Sequence, residues 1–168
     1  KPLPSLTGNG CHAHVSVWNN DGQTNLMEDS SGELGLSELA YHFIGGLLKH
    51  ATSITAVTNP VVNSYKRINA PRTTSGATWS PNTVTYSGNN RTHMIRIPDN
   101  DRIEVRLADG AANPYLLQAV LIGTGLWGVE NKTAPGKRLD IDMYAEGHKV
   151  RNAPKLPLNL LDALRNFQ

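Results

Sequence analysis

The chain has 168 residues, is 39% hydrophobic and carries a formal net charge of +2 at pH 7. This length and apolar content are enough for one hydrophobic core of ordinary size, so we expect a single domain. The small net charge excludes the strong positive field that proteins use to bind nucleic acid or an anionic membrane, and the lone cysteine, Cys11, excludes an internal disulfide.

The first predicted element is a short strand that follows a glycine-rich turn. Gly8 and Gly10 permit backbone conformations with positive φ or a close approach to a ligand. The residues that follow alternate as in a strand, so His12, His14 and Ser16 share one face. Two imidazoles and a hydroxyl in a row suit a metal ion and a phosphate. A glycine turn leading into an edge strand with a solvated polar face is the alternative.

Helices are predicted in four places. Apolar residues recur every three or four positions over residues 36–51, and Ser37 is placed to cap that helix. The sequence also predicts a short helix over 53–58 and a final amphipathic helix over 159–167. A helix over 113–129 starts with Asn-Pro and is apolar nearly all round, so we expect it to be central to the core.

A long loop and a β-hairpin are predicted between the helix over 53–58 and the helix over 113–129. Residues 69–90 are rich in Pro, Thr, Ser, Gly and Asn, which predicts a loop with one short strand near Val84. The hairpin joins residues 94–97 to 102–107, and residues 137–156 look irregular. In the second hairpin strand three apolar and three charged residues face opposite sides: Ile103, Val105 and Leu107 against Arg102, Glu104 and Arg106.

Basic residues concentrate in the middle of the chain. No Lys or Arg lies between Lys1 and Lys49, whereas residues 66–106 hold seven: Lys66, Arg67, Arg72, Arg91, Arg96, Arg102 and Arg106. Only three acids share that stretch, namely Asp99, Asp101 and Glu104. This distribution indicates a local anionic ligand, with a solvated basic face as the alternative.

Three ordered motifs carry a resemblance to a known family. The first is Lys-Pro-Leu at residues 1–3 followed by Thr7-Gly8-Asn9-Gly10-x-His12-x-x-x-Ser16. The second is Asn59-Pro60 with Asn63-Ser64-Tyr65-Lys66-Arg67. The third is Asn90-Arg91, then Ile95 to Pro98, Arg102 to Arg106 and Asn113-Pro114-Tyr115. Together, over roughly residues 1–165, they resemble the glutamine synthetases, whose ATP-binding signature the first motif matches.

The resemblance implies an α+β catalytic domain, with a curved, mainly antiparallel sheet backed by helices, in a double-ring homo-oligomer. It implies an ATP-dependent ligase that makes glutamine from glutamate and ammonia through γ-glutamyl phosphate, with Mg²⁺ or Mn²⁺. Two alternatives remain open: a related ligase that uses methylamine or another primary amine, and a catalytically silent homologue. No nucleic-acid or membrane partner is expected, and the cytoplasm is the expected compartment because no stretch looks like a signal peptide or membrane span.

Residue by residue, the resemblance implies three groups of contacts. The metal would be held by His12 and Glu104, and the amino-acid substrate by Gly8, Arg67 and Arg106. The nucleotide and its transferred phosphate would meet His14, Ser16, Arg91, Arg96 and Arg102, with Arg67 and Arg91 as catalytic residues. For Glu104 the alternative is a structural ion pair with its flanking arginines. We expect Cys11 to be a small buried residue.

The sequence departs from the family pattern in two places. Family members follow Tyr-Lys-Arg with a segment containing a Glu that guards the ammonium site, but here no acid occurs between Glu38 and Asp99. With Trp79 on that segment, an alkylamine becomes a second candidate substrate, although ammonia ranks first. Tyr144 aligns with a tyrosine that is adenylylated in some bacterial members, but the residues before it differ, which leaves regulation there open.

The chain is expected to be the C-terminal part of a longer catalytic domain, because it lacks an initiator Met and starts inside a motif. On this interpretation the N-terminal domain and the upstream metal-binding acids lie outside residues 1–168. We therefore expect this chain alone not to make glutamine.

Overall fold

The fold is a four-stranded sheet with helices packed on one face. The computed structural model describes residues 3, 6, 8–70 and 80–167. Within them lie the strands β1 Ala13–Val15, β2 Tyr86–Ser87, β3 Ile95–Asp99 and β4 Arg102–Val105. The helices are α1 Glu38–Lys49, α2 Ala51–Thr58, α3 Tyr65–Ile68, α4 Pro114–Glu130, α5 Met143–Glu146 and α6 Leu160–Asn166.

The strand order is β1-β4-β3-β2, and the sheet is mainly antiparallel. β4 pairs antiparallel with both β1 and β3, whereas β2 pairs parallel with β3. The predicted α+β class with a mainly antiparallel sheet backed by helices is therefore confirmed.

Alternation in β4 separates the core from a charged surface. Ile103, Val105 and Leu107 are buried in a core cluster that also contains the apolar stripe of α1. Their charged neighbours Glu104 and Arg106 must then leave from the opposite side of the strand. The predicted division of this strand into an apolar and a charged face is confirmed.

Three of the predicted helices, α1, α4 and α6, begin with a side-chain cap at the expected residue. The Ser37 hydroxyl accepts a hydrogen bond from the Ala40 amide at 3.3 Å at the start of α1. Asn113 accepts from two amides in the first turn of α4, and Asn159 accepts from the Asp162 amide at 2.8 Å in α6. Each cap supplies an acceptor to an amide that has no partner inside its helix.

The prediction that α4 is central to the core is wrong. One face, formed by Leu117, Leu121, Gly125 and Gly128, is buried. On the other face Tyr115 is 82% exposed and Ile122 is 52% exposed. The reason is that α1 covers one side of α4, while no part of the described chain covers the other. An all-apolar sequence shows that burial is favourable on every side, but not which side has a neighbour.

Residues 137–156 are not wholly irregular, in contrast to the prediction. They contain α5, which Asp142 caps by accepting from the amides of Tyr144 and Ala145. α3 was also not predicted, because a helix of four residues is too short to show an apolar period. None of the helices in the described ranges combines the length and apolarity needed to cross a membrane.

We expect Gly46→Ala to destabilise the chain, because α1 and α4 cross with their backbones in contact. A Cβ added to Gly46 would lie 2.1 Å from the Thr124 carbonyl oxygen and 2.7 Å from the Gly128 nitrogen. Backbone atoms cannot move aside locally, so the free energy of unfolding should fall by about 2 kcal/mol or more.

Gly123→Ala is the matched control in the same helix pair, because nothing lies within 4 Å of a Cβ at that position. Replacing glycine in a helix by alanine should raise the free energy of unfolding by up to about 1 kcal/mol. Urea unfolding of both variants tests the pair, and equal stabilities would contradict the tight crossing.

Candidate active site

The charged face of the sheet brings residues from three strands into one row. His14 in β1 pairs with Glu104 in β4, and Glu104 pairs with Arg96 in β3. Side chains at paired positions of neighbouring strands point to the same face. Strand pairing alone therefore aligns an imidazole, a carboxylate and a guanidinium, and His12 extends this row by two residues.

Glu104 is the centre of a charged cluster that we call the Glu104 cluster, formed with His12, Arg96 and Arg106, in which Glu104 and Arg106 are buried. Its Oε2 lies 2.8 Å from Arg96 Nη1, and its Oε1 lies 2.9 Å from Arg106 Nη1 and 3.1 Å from His12 Nδ1. Burial favours the neutral carboxylic acid, but the Arg96 hydrogen bond and the charge of Arg106 outweigh it and lower the pKa of Glu104. The carboxylate is therefore ionised at neutral pH.

His12 is neutral at physiological pH. Burial and the nearby Arg106 guanidinium outweigh the attraction of Glu104 and lower the pKa of His12 to about 4. A neutral imidazole keeps a nitrogen lone pair, which is the form in which histidine binds metals. The side chain is 31% exposed, so the ring is reachable from solvent.

His12 and Glu104 fit a divalent metal ion as two of its ligands. Their donor atoms lie 3.1 Å apart, and donors that share one ion at bond lengths near 2.1 Å lie about 3 Å apart. Among the described residues no group of three or more His, Cys, Asp or Glu side chains could hold a metal. Further ligands would have to come from phosphate oxygens, water or other parts of the full-length protein.

Arg67 joins α3 to the end of β4. Its Nη1 donates to the Leu107 carbonyl and its Nη2 to the Arg106 carbonyl, both at 2.7 Å. The side chain is buried, and burial lowers the pKa of Arg67 to about 10, so it remains cationic at neutral pH. A Cβ on Gly10 would lie 3.4 Å from Arg67 Nε and 3.0 Å from His12 Nε2. The glycine thus lets the backbone pass close to both side chains.

A second, more exposed group lies beside the Glu104 cluster. Arg102 Nε donates to His14 Nδ1 at 3.2 Å, while its two Nη atoms pair with Asp99 at 2.6 Å and Asp101 at 2.8 Å. His14 is 46% exposed and reaches Glu104 only at 3.9 Å. The predicted nucleotide residues His14 and Arg102 are therefore neighbours, and part of the Arg102 charge is already paired.

Three predicted residues lie apart from the Glu104 cluster. Ser16 accepts a hydrogen bond from the Trp18 indole at 2.9 Å. Arg91 is exposed in the turn before β3 and makes no ion pair within the described ranges. Gly8 has φ of 124°, a conformation that favours glycine. The predictions for Arg72 and Trp79 fall on residues 71–79, which lie outside the described residues.

Sequence reasoning missed two residues that hold the predicted ones in place. Asn89 accepts from Arg96 Nε at 2.8 Å and from Arg96 Nη2 at 2.6 Å, so it fixes the guanidinium that pairs with Glu104. Trp18 continues the row of His12, His14 and Ser16. Alternation could have identified Trp18, whereas no local pattern marks Asn89.

The prediction that Cys11 is buried is wrong, because the residue is exposed. Its amide bonds the Ala108 carbonyl at 2.9 Å, which places it just before the edge strand β1.

One sizeable cavity lies elsewhere. Its volume is about 580 Å³, and it is lined by residues of α3 and α6 such as Tyr65, Lys66 and Leu161. It contains none of the predicted site residues. The candidate site is therefore the polar face of the sheet, which lies open in this chain.

Comparison with known proteins gives consistent matches over the whole chain. The family model for the glutamine synthetase catalytic domain matches residues 1–168. A glutamine synthetase from Rhizobium meliloti (strain 1021) is 64% identical over 167 residues, which cover 99% of this chain and 38% of that protein. A glutamate–methylamine ligase from Methyloversatilis universalis is 45% identical over 174 residues, covering 98% of this chain and 38% of that protein.

A solved structure has the same fold. The structure of a GmaS/ADP complex matches with a TM-score of 0.92 and 64% sequence identity, covering 99% of this chain and 38% of that one. The chain thus spans well under half the length of these relatives.

Proposed function

This chain belongs to the glutamine synthetase family, and from that premise we propose that the full-length protein is an ATP-dependent ligase that joins glutamate to ammonia. The observation that supports this most strongly is the Glu104 cluster. It combines an ionised carboxylate with a neutral imidazole and two guanidiniums, each of which lies within hydrogen-bond distance of that carboxylate. Such a set suits a reaction that handles both phosphate and carboxylate groups.

The proposed reaction has two steps. First, a γ-carboxylate oxygen of glutamate bonds to the γ-phosphorus of ATP, and the bond from that phosphorus to the ADP oxygen breaks. Second, the amine nitrogen bonds to the carbonyl carbon of γ-glutamyl phosphate, inorganic phosphate leaves, and the nitrogen loses a proton. Catalysis of phosphoryl transfer depends mainly on positioning and on stabilising negative charge.

Each group of residues has a role in this scheme. Arg67 and Arg106 would bind the carboxylates of glutamate, with Gly8 lining that end. The residues assigned to the nucleotide and the transferred phosphate are His14, Ser16, Arg91, Arg96 and Arg102. Among these, Arg96 is oriented by Asn89, and a fixed guanidinium needs no reorganisation when phosphate charge develops.

His12 and Glu104 are the proposed metal ligands. A bound Mg²⁺ or Mn²⁺ would screen the phosphate charge. Glu104 also pairs with both Arg96 and Arg106, so the same carboxylate holds the two guanidiniums at fixed positions. We propose that residues 1–168 form the C-terminal part of the catalytic domain. Because the described residues contain no group of three or more side chains that could hold a metal, we expect the full-length homo-oligomer, and not this chain alone, to be active.

A second candidate function is favoured by one feature of the sequence. No acidic residue occurs between Glu38 and Asp99, so the segment after Arg67 lacks a carboxylate to bind and deprotonate ammonium. One relative is a glutamate–methylamine ligase. A ligase that prefers methylamine or another small primary amine is therefore the alternative.

The test compares kcat/KM for ammonium and for a series of primary amines in the full-length enzyme, measured as ADP release with glutamate and Mg²⁺. We expect ATP turnover that depends on glutamate and is highest with ammonium. A clear preference for an alkylamine would make glutamine synthesis a side activity. Absence of turnover with every amine would contradict the ligase proposal and favour a silent homologue.

A further inference from the structure

Arg102 at the start of β4 is held by two carboxylates of its own hairpin. Asp99 is its cross-strand partner at the end of β3, and Asp99 Oδ2 lies 2.6 Å from Arg102 Nη2. Asp101 Oδ1 lies 2.8 Å from Arg102 Nη1. The Asn25 side chain donates to the Asp101 carbonyl at 2.6 Å, which fixes the turn between the two strands. The hairpin therefore sets the orientation of the guanidinium without the help of a ligand.

The same two carboxylates offset the charge of Arg102. Two carboxylates outweigh one guanidinium, so the group formed by Arg102, Asp99 and Asp101 is negative as a whole. A phosphate is attracted to such a group less than to an unpaired arginine, because the carboxylates repel it. The remaining contact of Arg102, which is with His14, therefore indicates a role other than attracting phosphate by charge.

The contact with Arg102 fixes the position of the proton on His14. Arg102 Nε carries a hydrogen at all times, because a guanidinium does not lose its proton in proteins. It lies 3.2 Å from His14 Nδ1, to which it donates. His14 Nδ1 must then hold a lone pair, and the proton of the neutral imidazole is on Nε2. The contact thus selects one of the two neutral tautomers of His14.

The selected tautomer presents an N–H group beside the proposed metal ligand Glu104. His14 Nε2 lies 3.9 Å from Glu104 Oε1, which is beyond hydrogen-bond distance, and no hydrogen bond joins Nε2 to any residue that the structure describes. The His14 side chain is 46% exposed, so a ligand can reach it. A protonated Nε2 can donate to a phosphate oxygen but cannot bind a metal, because a metal needs the lone pair.

We propose that Arg102 is a positioning residue which, held by Asp99 and Asp101, keeps His14 as a hydrogen-bond donor from Nε2 to a phosphate oxygen of ATP. This inference rests on the proposed ligase function and refines the role of Arg102 within it. It also separates the two histidines of the row. His12 offers its lone pair to the metal, whereas His14 offers a proton to the nucleotide.

The experiment measures Kd for ATP by isothermal titration calorimetry in the full-length protein, with Mg²⁺ and without glutamate, so that the readout does not need turnover. His14→Ala removes a donor to a charged group and should raise Kd about tenfold. Arg102→Leu should also raise Kd. The double variant should be no worse than His14→Ala, because Arg102 acts through His14. Arg102→Lys should resemble Arg102→Leu, because it keeps the charge but lacks the Nε donor.

Replacing both carboxylates separates positioning from competition by the sign of the effect. If Asp99 and Asp101 only competed with phosphate for Arg102, the variant Asp99→Ala/Asp101→Ala would free the arginine and lower Kd for ATP. As supports of Arg102 they should instead raise Kd about threefold when they are removed. The comparison is made at about 0.3 M salt, where exposed charges more than roughly 6 Å apart are largely screened.

Asp162→Ala is the matched control. The exposed Asp162 carboxylate also pairs with an arginine, since its Oδ1 lies 3.3 Å from Arg165 Nη1. Both residues are on α6, which supplies none of the predicted site residues. Kd for ATP should therefore stay at the wild-type value.

Three results would overturn the inference. If the effects of His14→Ala and Arg102→Leu multiply in the double variant, Arg102 contacts the nucleotide independently of His14. An unchanged Kd in Arg102→Leu would mean that His14 does not need Arg102. A lower Kd in Asp99→Ala/Asp101→Ala would mean that the carboxylates oppose nucleotide binding. A wild-type protein that binds ATP but releases no ADP with any amine would instead overturn the proposed ligase function, and the binding comparison would still stand.

Discussion

Glu104→Gln is expected to lower kcat/KM of the full-length protein by about 10³-fold, because it would remove one charged ligand of the proposed metal ion while keeping the size of the side chain. The affinity for Mn²⁺, followed by electron paramagnetic resonance, should fall in parallel. Stability should change less, since the amide oxygen can still accept from Arg96 or Arg106, which now lie 2.8 and 2.9 Å from the carboxylate.

Glu104→Ala should lower both activity and stability. Glu104 and Arg106 are both 3% exposed, so alanine leaves a buried guanidinium without its carboxylate. Breaking a buried ion pair from one side costs about 3 kcal/mol of the free energy of unfolding. Removal of a residue that served only as a metal ligand would leave stability almost unchanged. Because Glu104 also pairs with a buried arginine, we expect stability to fall as well.

Glu33→Gln is the control for these substitutions. Glu33 also pairs with an arginine, since its Oε1 lies 2.7 Å from Arg138 Nη1, but its side chain is 59% exposed. Exposed pairs contribute at most about 1 kcal/mol, so neither turnover nor Mn²⁺ affinity should change. Wild-type turnover or wild-type Mn²⁺ affinity in Glu104→Gln would show that Glu104 is a structural partner only.

Local sequence patterns could predict those parts of the site that follow from strand geometry. The alternation of apolar and charged residues in β4 correctly placed Glu104 and Arg106 opposite the core. The same rule aligned His14 on β1 with His12, which lies just before that strand. These predictions work because a strand has a fixed period of two, which any neighbouring strand must respect.

Contacts between residues distant in sequence could not be predicted in this way. Asn89 fixes Arg96, and Tyr144 contacts Ser80 from a four-residue helix that shows no period. The prediction that α4 is central to the core was wrong for a related reason. Hydrophobicity indicates that a surface favours burial, but the identity of its neighbour is a property of the whole fold.

The buried arginine Arg67 shows how a predicted substrate residue can also support the fold. Both of its Nη atoms donate to carbonyls at the end of β4. These bonds leave other N–H groups of the guanidinium to a ligand, because arginine has five donors. The substrate would therefore bind a side chain that the backbone of β4 has already oriented.

Arg67→Lys is expected to raise KM for glutamate roughly 10- to 100-fold and to lower the free energy of unfolding by about 1–3 kcal/mol. Lysine keeps the positive charge, but a single ammonium cannot reproduce the planar fork that contacts the Arg106 and Leu107 carbonyls, each at 2.7 Å. At least one buried carbonyl then loses its donor, and the remaining charge is no longer fixed for a carboxylate.

The matched control for Arg67→Lys is Arg165→Lys, in which the arginine is 68% exposed and makes one ion pair with Asp162 at 3.3 Å. Neither KM nor stability should change in that control.

Glutamate kinetics and urea unfolding on the same preparations separate the two roles of Arg67. A loss of stability with an unchanged KM for glutamate would mean that Arg67 only joins α3 to β4. A raised KM with full stability would mean that its contacts to the carbonyls do not support the fold. We expect both quantities to change together, because the guanidinium that would bind the substrate is the same one that holds the strand.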